Sequence, residues 1–367
     1  MRMEGENKKQ DFLPIKKRQS WKKTAAFVIF ILLNAVVIAV TASSEFGNSA
    51  EATELSEVKI NWWLLIPAVI CFVVAITLDI NRYVLMIRKM RGKDEKKAKL
   101  TDVWKVARRT VLLGKYYDSV TPAAIGGQPF QIYYMRKNSG LSHGASTSIP
   151  LVGMIANQIG FLIIAISCFL FSGIMYTKPA LMVTAWIGLL FFAFWPIMVA
   201  GVSFFPKATT KFLKWLVKVL AKLHVVKNRD KALDKIEDEV SGYAKSVKVI
   251  LKEKGLFFRV IIMSVAYNAL IMMIPFFVLT AFGGDVRFIE CFALSVAVTS
   301  AVYFVPTPGN AGAAEGTFFL VFSALSTGYV FWAMLFWRFF SYYIYIIIGP
   351  IVYFFMQLEK RRNTKKV

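Results

Sequence analysis

Histidine and cysteine are scarce in this chain, and 22 acids stand against 45 bases. His143 and His224 are the only imidazoles, and both occur in polar segments. No Ser-His or Cys-His nucleophile pair and no histidine-rich metal site is therefore expected. Cys71, Cys168 and Cys291 lie singly in apolar runs without ligand spacing, so they read as small core hydrophobes rather than as disulfides. No Walker-type phosphate loop occurs either. The expected absences are thus an enzyme active site, a catalytic residue, a metal and a cofactor. Energy, if used, would come from an ion gradient or from a gradient of the transported molecule.

What the chain has in abundance is apolar surface. Hydrophobic residues make up 57% of it and the mean hydropathy is +0.54. Several apolar runs reach the length needed to cross a hydrocarbon core about 30 Å thick. The fold class expected is an all-α polytopic membrane protein. A net charge of +23 could suggest nucleic acid, but the bases fall in the loops between apolar runs and no stretch resembles a nucleic-acid reader. In loops they set topology and attract anionic headgroups, so membrane lipids are the expected partners and nucleic acid is not.

Charge orders the spans. Residues 1–23 carry eight bases and three acids, which places them in the cytoplasm, and 24–41 forms the first span. The small residues after that span resemble a signal-peptidase site, but a second span follows, so 24–41 reads as a retained helix. An acidic loop lies outside, and 62–85 returns with Trp62 and Trp63 at the outer interface. The run 88–99 emerges inside. Spans 150–171 and 180–205 follow, completing a first membrane region over 24–205. Within 206–255, Lys207, Lys211, Lys214, Lys218 and Lys222 lie opposite an apolar face. Such a helix lies in the membrane interface or packs on the protein as a linker. Alternating charges over 228–254 predict a cytosolic helix. The second membrane region, 256–357, holds spans 256–282 and 330–355, and the basic tail 358–367 lies in the cytoplasm.

Two interruptions organise the rest. TPAAIGGQPFQIYYM begins at Thr121 and TPGNAGAAEGTFFLV at Thr307, so Thr121, Pro122 and Gly126 match Thr307, Pro308 and Gly312. Proline and glycine break helices at these points. Around the first break, bases stand on both sides, and 126–135 is only about 15 Å of helix. Residues 101–137 therefore read as a re-entrant hairpin from inside, and 288–326 as one from outside. Six full spans plus two hairpins make an inverted repeat, with eight transmembrane helices as the alternative. Irregular backbone at membrane depth needs protein or a wet cavity to satisfy it, so the two breaks are expected to meet around a cavity.

The two stretches resemble the signature segments of the flippase-like membrane region of lysylphosphatidylglycerol synthase, and the likeness runs from about 24 to 355. The resemblance implies a membrane protein of the bacterial cell membrane, with both termini cytoplasmic, that moves a phospholipid or lipid-linked headgroup across the bilayer. Aminoacyl-phosphatidylglycerol and polyprenyl-phosphate lipids fit that class. The soluble aminoacyltransferase domain of two-part synthases is expected to be absent, since the chain ends at Val367. A lysyltransferase name would then have no catalytic residues behind it. The family often has an acid after its first-motif glycine, where this chain has Gln128, which leaves Glu315 as the carboxylate of the motif pair. An accessory subunit for a lipid-linked glycosyltransferase, with a partner lipid-modifying enzyme, is the alternative class.

Substrate-binding candidates follow from the breaks. Free N–H groups of a half-helix starting near Gly127 suit a phosphate, Gly126 and Gly127 allow close approach, and Gln128 and Gln131 can bond a headgroup. Gly309, Asn310 and Gly312 make the second turn. Glu315 is either functional or the complement of its helix N-terminus, and must be paired with Arg82 or Arg338 in either case. Arg338, within an apolar span, must face the interior; Arg82 faces the interior or snorkels. Asp118 is a proton or headgroup site, or a local cap. Asn157, Gln158 and Asn268 are expected to hydrogen-bond between helices, and Tyr342, Tyr343 and Tyr345 to pack.

Overall fold

The computed structural model describes residues 59–91, 99–121, 124, 126–173, 179–222, 229–303, 305, 307, 309–323 and 330–364. The expected first span, the basic N-terminus, Pro122 and Pro308 lie outside the described residues. Every regular element within them is helical. Five stretches are long and apolar enough to cross a membrane: Trp62–Arg91, His143–Phe171, Pro179–Met198, Lys254–Ala281 and Val330–Glu359. They fall on the five other spans read from the sequence. Two of them reach clearly further, since Arg88 to Arg91 continue the first helix into its basic end and the helix at His143 starts well before the buried Pro150, while Pro179–Met198 stops short of the expected 205.

We label the helices α1 (Trp62–Arg91), α2 (Leu100–Val120), α3 (Gly127–Asn138), α4 (His143–Phe171), α5 (Pro179–Phe204), α6 (Pro206–Lys222), α7 (Arg229–Lys252), α8 (Lys254–Ala281), α9 (Phe288–Val302), α10 (Ala313–Phe322), α11 (Val330–Arg338) and α12 (Ile344–Thr364). A π turn, Phe339–Tyr343, joins the last two. The order of long helix, broken pair, long helix occurs twice, as α1, α2–α3, α4 and as α8, α9–α10, α11–α12. The matching helices α1 and α8 pack together and run antiparallel. Asn61 N donates to Ala281 O at 2.9 Å at one end, and Lys89 pairs with Glu253 at 2.8 Å at the other. Between these ends, Leu65, Ala68 and Phe72 share one core with Ile274 and Val278. At 1.5 Å per residue, α9 and α10 are about 22 and 15 Å long, so neither crosses a 30 Å core alone.

Small residues let these helices approach closely. A Cβ on Gly188 of α5 would overlap the Ser300 carbonyl of α9, and one on Gly144 of α4 would overlap Gly242 of α7. Gly188→Ala is accordingly expected to cost about 1–3 kcal/mol, the usual cost of overpacking, because the obstacle is backbone that cannot swing aside. A lowered denaturation midpoint in detergent checks this.

Charges gather at one end of the bundle. Arg109 and Lys105 on α2 bind Glu359 on α12 at 2.8 and 2.9 Å, and Arg136 on α3 binds Glu239 on α7 at 2.5 Å. Lys105 and Arg109 in the first half of α2, and Arg136 near the end of α3, are held by these pairs. Trp62 and Trp63, mostly exposed, mark the opposite end. Between them, outward-facing Val69, Ile70, Val73, Leu190 and Ile197 form an apolar girdle. Helix α6 packs along α7, and the Lys214 ammonium donates to Glu237 at 2.9 Å, which holds that carboxyl below its usual range. Phe212 and Trp215 remain exposed beside Lys211 and Lys218. The helix thus has both a protein-facing side and an aromatic, basic outer side.

Candidate functional site

The two breaks fold into the same turn. Ala124 and Asn310 occupy matching positions, each three residues after its threonine, and both are left-handed, at φ 51° and 56°. In each turn their N–H donates to the threonine carbonyl, Ala124 to Thr121 at 3.2 Å and Asn310 to Thr307 at 3.1 Å. Side chains other than glycine rarely adopt this conformation, so both turns are held by their surroundings. Gly309, at φ 57°, packs so close to the Tyr342 ring that a Cβ would overlap it.

Each turn leads into a helix whose first N–H groups are taken up by the chain itself. Gly126 N donates to Thr121 Oγ1 at 2.9 Å and Gly127 N to Asp118 Oδ1 at 2.7 Å. Gly312 N donates to Glu315 Oε2 at 2.7 Å, while Thr307 Oγ1 donates to Ala311 O at 2.8 Å. A carboxylate therefore sits at both half-helix N-termini, where the dipole favours it. This corrects the expectation that these ends lie free for a phosphate. The space over Gly126 and Gly127 is likewise filled, by Thr121 and Asp118.

Glu315 is almost wholly buried, and Arg338 Nε donates to its Oε1 at 2.6 Å. The same guanidinium donates to Gly309 O at 3.3 Å and lies over the Tyr342 ring at 4.6 Å. Arg338 is thus the partner of Glu315, and the pair ties the second break to the last helix. Arg82 is also buried but pairs elsewhere, with Asp79 on its own helix and Ser264 on α8. It faces the interior and does not snorkel. Gln131 is buried, accepts from the Tyr83 hydroxyl of α1 at 2.9 Å and packs against Gly114 of α2, and it lines neither of the cavities described next. Gln128 is half-buried and lines neither of the cavities described next. Asn268 donates to Asn157 across helices and Gln158 to Tyr303, as the sequence suggested.

The turns meet at a cavity of about 240 Å³. Ala124 and Asp118 line it from the first break, and Gly309 and Asn310 from the second. Lys115, one turn before Asp118 on α2, contributes a cation, and Ser119, Tyr267, Ser341, Tyr342 and Tyr345 are among the other polar residues of the lining. A second cavity of about 220 Å³ shares Gly309, Asn310 and Ser341 with the first and reaches Arg338. Asn310 Oδ1 and Ser341 Oγ, both on the shared wall, are buried without a hydrogen-bond partner among the described residues. Lys115 Nζ donates to the Tyr267 hydroxyl at 2.7 Å and lies 3.3 Å from Asp79 Oδ2. It also stands over the Tyr267 and Tyr345 rings at 4.8 and 5.5 Å.

Lys115, Tyr267, Ser341 and Tyr345 were not among the sequence candidates. Lys115 carried a signal: it is the sole cation between Arg109 and Arg136. The others could not be told from packing residues, because only the fold brings α8 and the last helix to the breaks.

Fold and site together define a multi-pass helical membrane protein with a polar chamber in an apolar bundle. The chain belongs to the lysylphosphatidylglycerol synthase TM region family, which it matches over residues 24–349. Comparison with curated proteins and with solved structures returned no match.

Proposed function

We propose that this protein moves a lipid headgroup across the bacterial cell membrane, without covalent chemistry, through the cavity between the two breaks. The observation that carries the reading is the convergence of both left-handed turns on one chamber that also holds Lys115, Asp118 and Asn310. A cation and unpaired acceptors inside an apolar bundle are costly unless a ligand uses them. The lysine ammonium has three donors and spends two, on Tyr267 and Asp79, which leaves one for a lipid phosphate. Asn310 Oδ1 and Ser341 Oγ would take hydroxyl or amino groups of the same headgroup, while the acyl or prenyl tails stay in lipid. In this reading α2–α3 and α9–α10 are re-entrant hairpins of an inverted repeat, and the end bearing Arg109, Arg136 and Glu359 is cytoplasmic.

The test is a leaflet-sidedness assay in proteoliposomes offered labelled phosphatidylglycerol, lysyl-phosphatidylglycerol and polyprenyl phosphate. Movement of at least one lipid is expected. Asn310→Gly, which keeps the left-handed turn and removes the acceptor, should slow it about tenfold, the worth of one hydrogen bond to a charged or polar headgroup. Folded protein that moves none of the three would remove the reading and point to an accessory role beside a lipid-modifying enzyme.

A further inference from the structure

Six ionisable groups surround the chamber and its supports among the described residues, three of each sign, so that with all of them ionised the charges cancel. Arg82, Lys115 and Arg338 are balanced by Asp79, Asp118 and Glu315. The three carboxylates are not equivalent. Asp79 gives one oxygen to Arg82 and the other to Lys115. Glu315 gives one to Arg338 and one to Gly312 N. Asp118 uses only Oδ1, on Gly127 N, and its Oδ2 has no hydrogen-bond partner among the described residues. It is also the only carboxylate of the three that lines the cavity.

A phosphate headgroup brings a negative charge into this balanced interior, where an uncompensated charge is expensive. The groups facing Asp118 decide where compensation can come from. They are Lys115 on its own helix, the Gly127 N–H on α3, Tyr267 on α8 and Tyr345 on α12, with Tyr83 on α1 and Tyr303 after α9 within electrostatic reach. The phenols are neutral side chains, and Lys115 already faces the Asp79 carboxylate. Asp118 is the one group there that can take up a proton, which turns its carboxylate neutral.

Resting on the transport reading above, we propose that Asp118 is a proton-binding site: a proton on Oδ2 enters with the anionic headgroup and keeps the chamber neutral. The atoms balance simply, since water supplies the proton to Oδ2 on one side and takes it back on the other. Oδ1 meanwhile continues to accept from Gly127, so the turn survives both states. Proton and lipid occupy the chamber together, so they travel in the same direction, and a leaflet facing acid should lose lipid faster.

Two measurements test this. Infrared pH titration of the purified protein should show a carboxylic-acid C=O band that titrates between about pH 5 and 9 and is absent in Asp118→Asn, whose side-chain oxygen preserves the cap. No titrating band in the wild type, or one that persists in the variant, overturns the site. In proteoliposomes, labelled phosphatidylglycerol should leave the acid-facing leaflet faster, by up to about tenfold for each pH unit across the membrane. Movement indifferent to the gradient overturns the coupling and leaves the transport reading standing. A titrating Asp118 with no lipid movement in any gradient does the reverse: the proton site stands and the transport reading falls. The wild-type responses need no variant to fold.

Discussion

Arg338→Ala is expected to destabilise the protein by about 3–5 kcal/mol, because it leaves Glu315 ionised and almost without solvent. Glu315 would keep its bond from Gly312 N, but that single N–H cannot replace a guanidinium 2.6 Å away. The loss extends beyond one pair. Arg338 also holds the Gly309 carbonyl and stacks on Tyr342, so its removal frees the second turn from the last helix. A buried pair is worth little against a neutral replacement of similar shape, even though breaking it costs much. The double variant Glu315→Gln, Arg338→Met should therefore recover most of the lost stability. Denaturation midpoints of the wild type, Glu315→Gln, Arg338→Met and the double variant in one detergent make the cycle. Equal and additive losses from the two single substitutions would show that the residues act separately.

Lys115→Met is expected to slow headgroup transport by about 10–100-fold, the equivalent of one charge-assisted hydrogen bond of about 1.5–3 kcal/mol. Methionine is close in length and keeps the packing against Tyr267 and Tyr345, so the fold should hold. Asp79 retains Arg82. What changes is the chamber, which loses its one cavity-lining cation of the first chamber and gains a net negative charge from Asp118. Anionic lipids should suffer most in the proteoliposome assay. Arg109→Ala supplies the control, since its guanidinium serves Glu359 at the charged end of the bundle. The pair is only partly buried and lies away from the chamber lining, so transport should stay within about twofold. A Lys115→Met protein as active as the wild type on every anionic lipid would take the phosphate away from this lysine.

Much of this arrangement could be read in one dimension. Long apolar runs impose helices, since a chain in lipid must satisfy its backbone within itself. The five long helices of the described residues accordingly fall where hydropathy put them. Pro and Gly after Thr121 and Thr307 marked both breaks, because those residues cannot continue a helix. An arginine and a glutamate in apolar surroundings announced that they must be paired, and Arg338 was one of two partners named for Glu315.

Partner choice and cavity lining were another matter. Nothing in spacing tells Arg338 from Arg82 as the mate of Glu315, because the two lie on α11 and α1 and only packing sets which one reaches α10. Asp118 and Glu315 sit at the half-helix ends, the capping alternative the sequence offered for each beside a ligand role, since a side chain can fold back on an N-terminus as readily as face a ligand. Gln131 had the chemistry of a headgroup ligand, and Tyr83 claimed it. Lys115 read as one more topological charge, yet α2 turns it inward against Asp79 and Tyr267. The sequence by itself determined the helices, the breaks and the need for compensated charge, because these follow from local backbone rules and the cost of ionised groups in an apolar medium. Which polar groups satisfy one another, and which are left facing the chamber, was decided only by the tertiary structure, because that depends on helices far apart in the chain coming within hydrogen-bond reach.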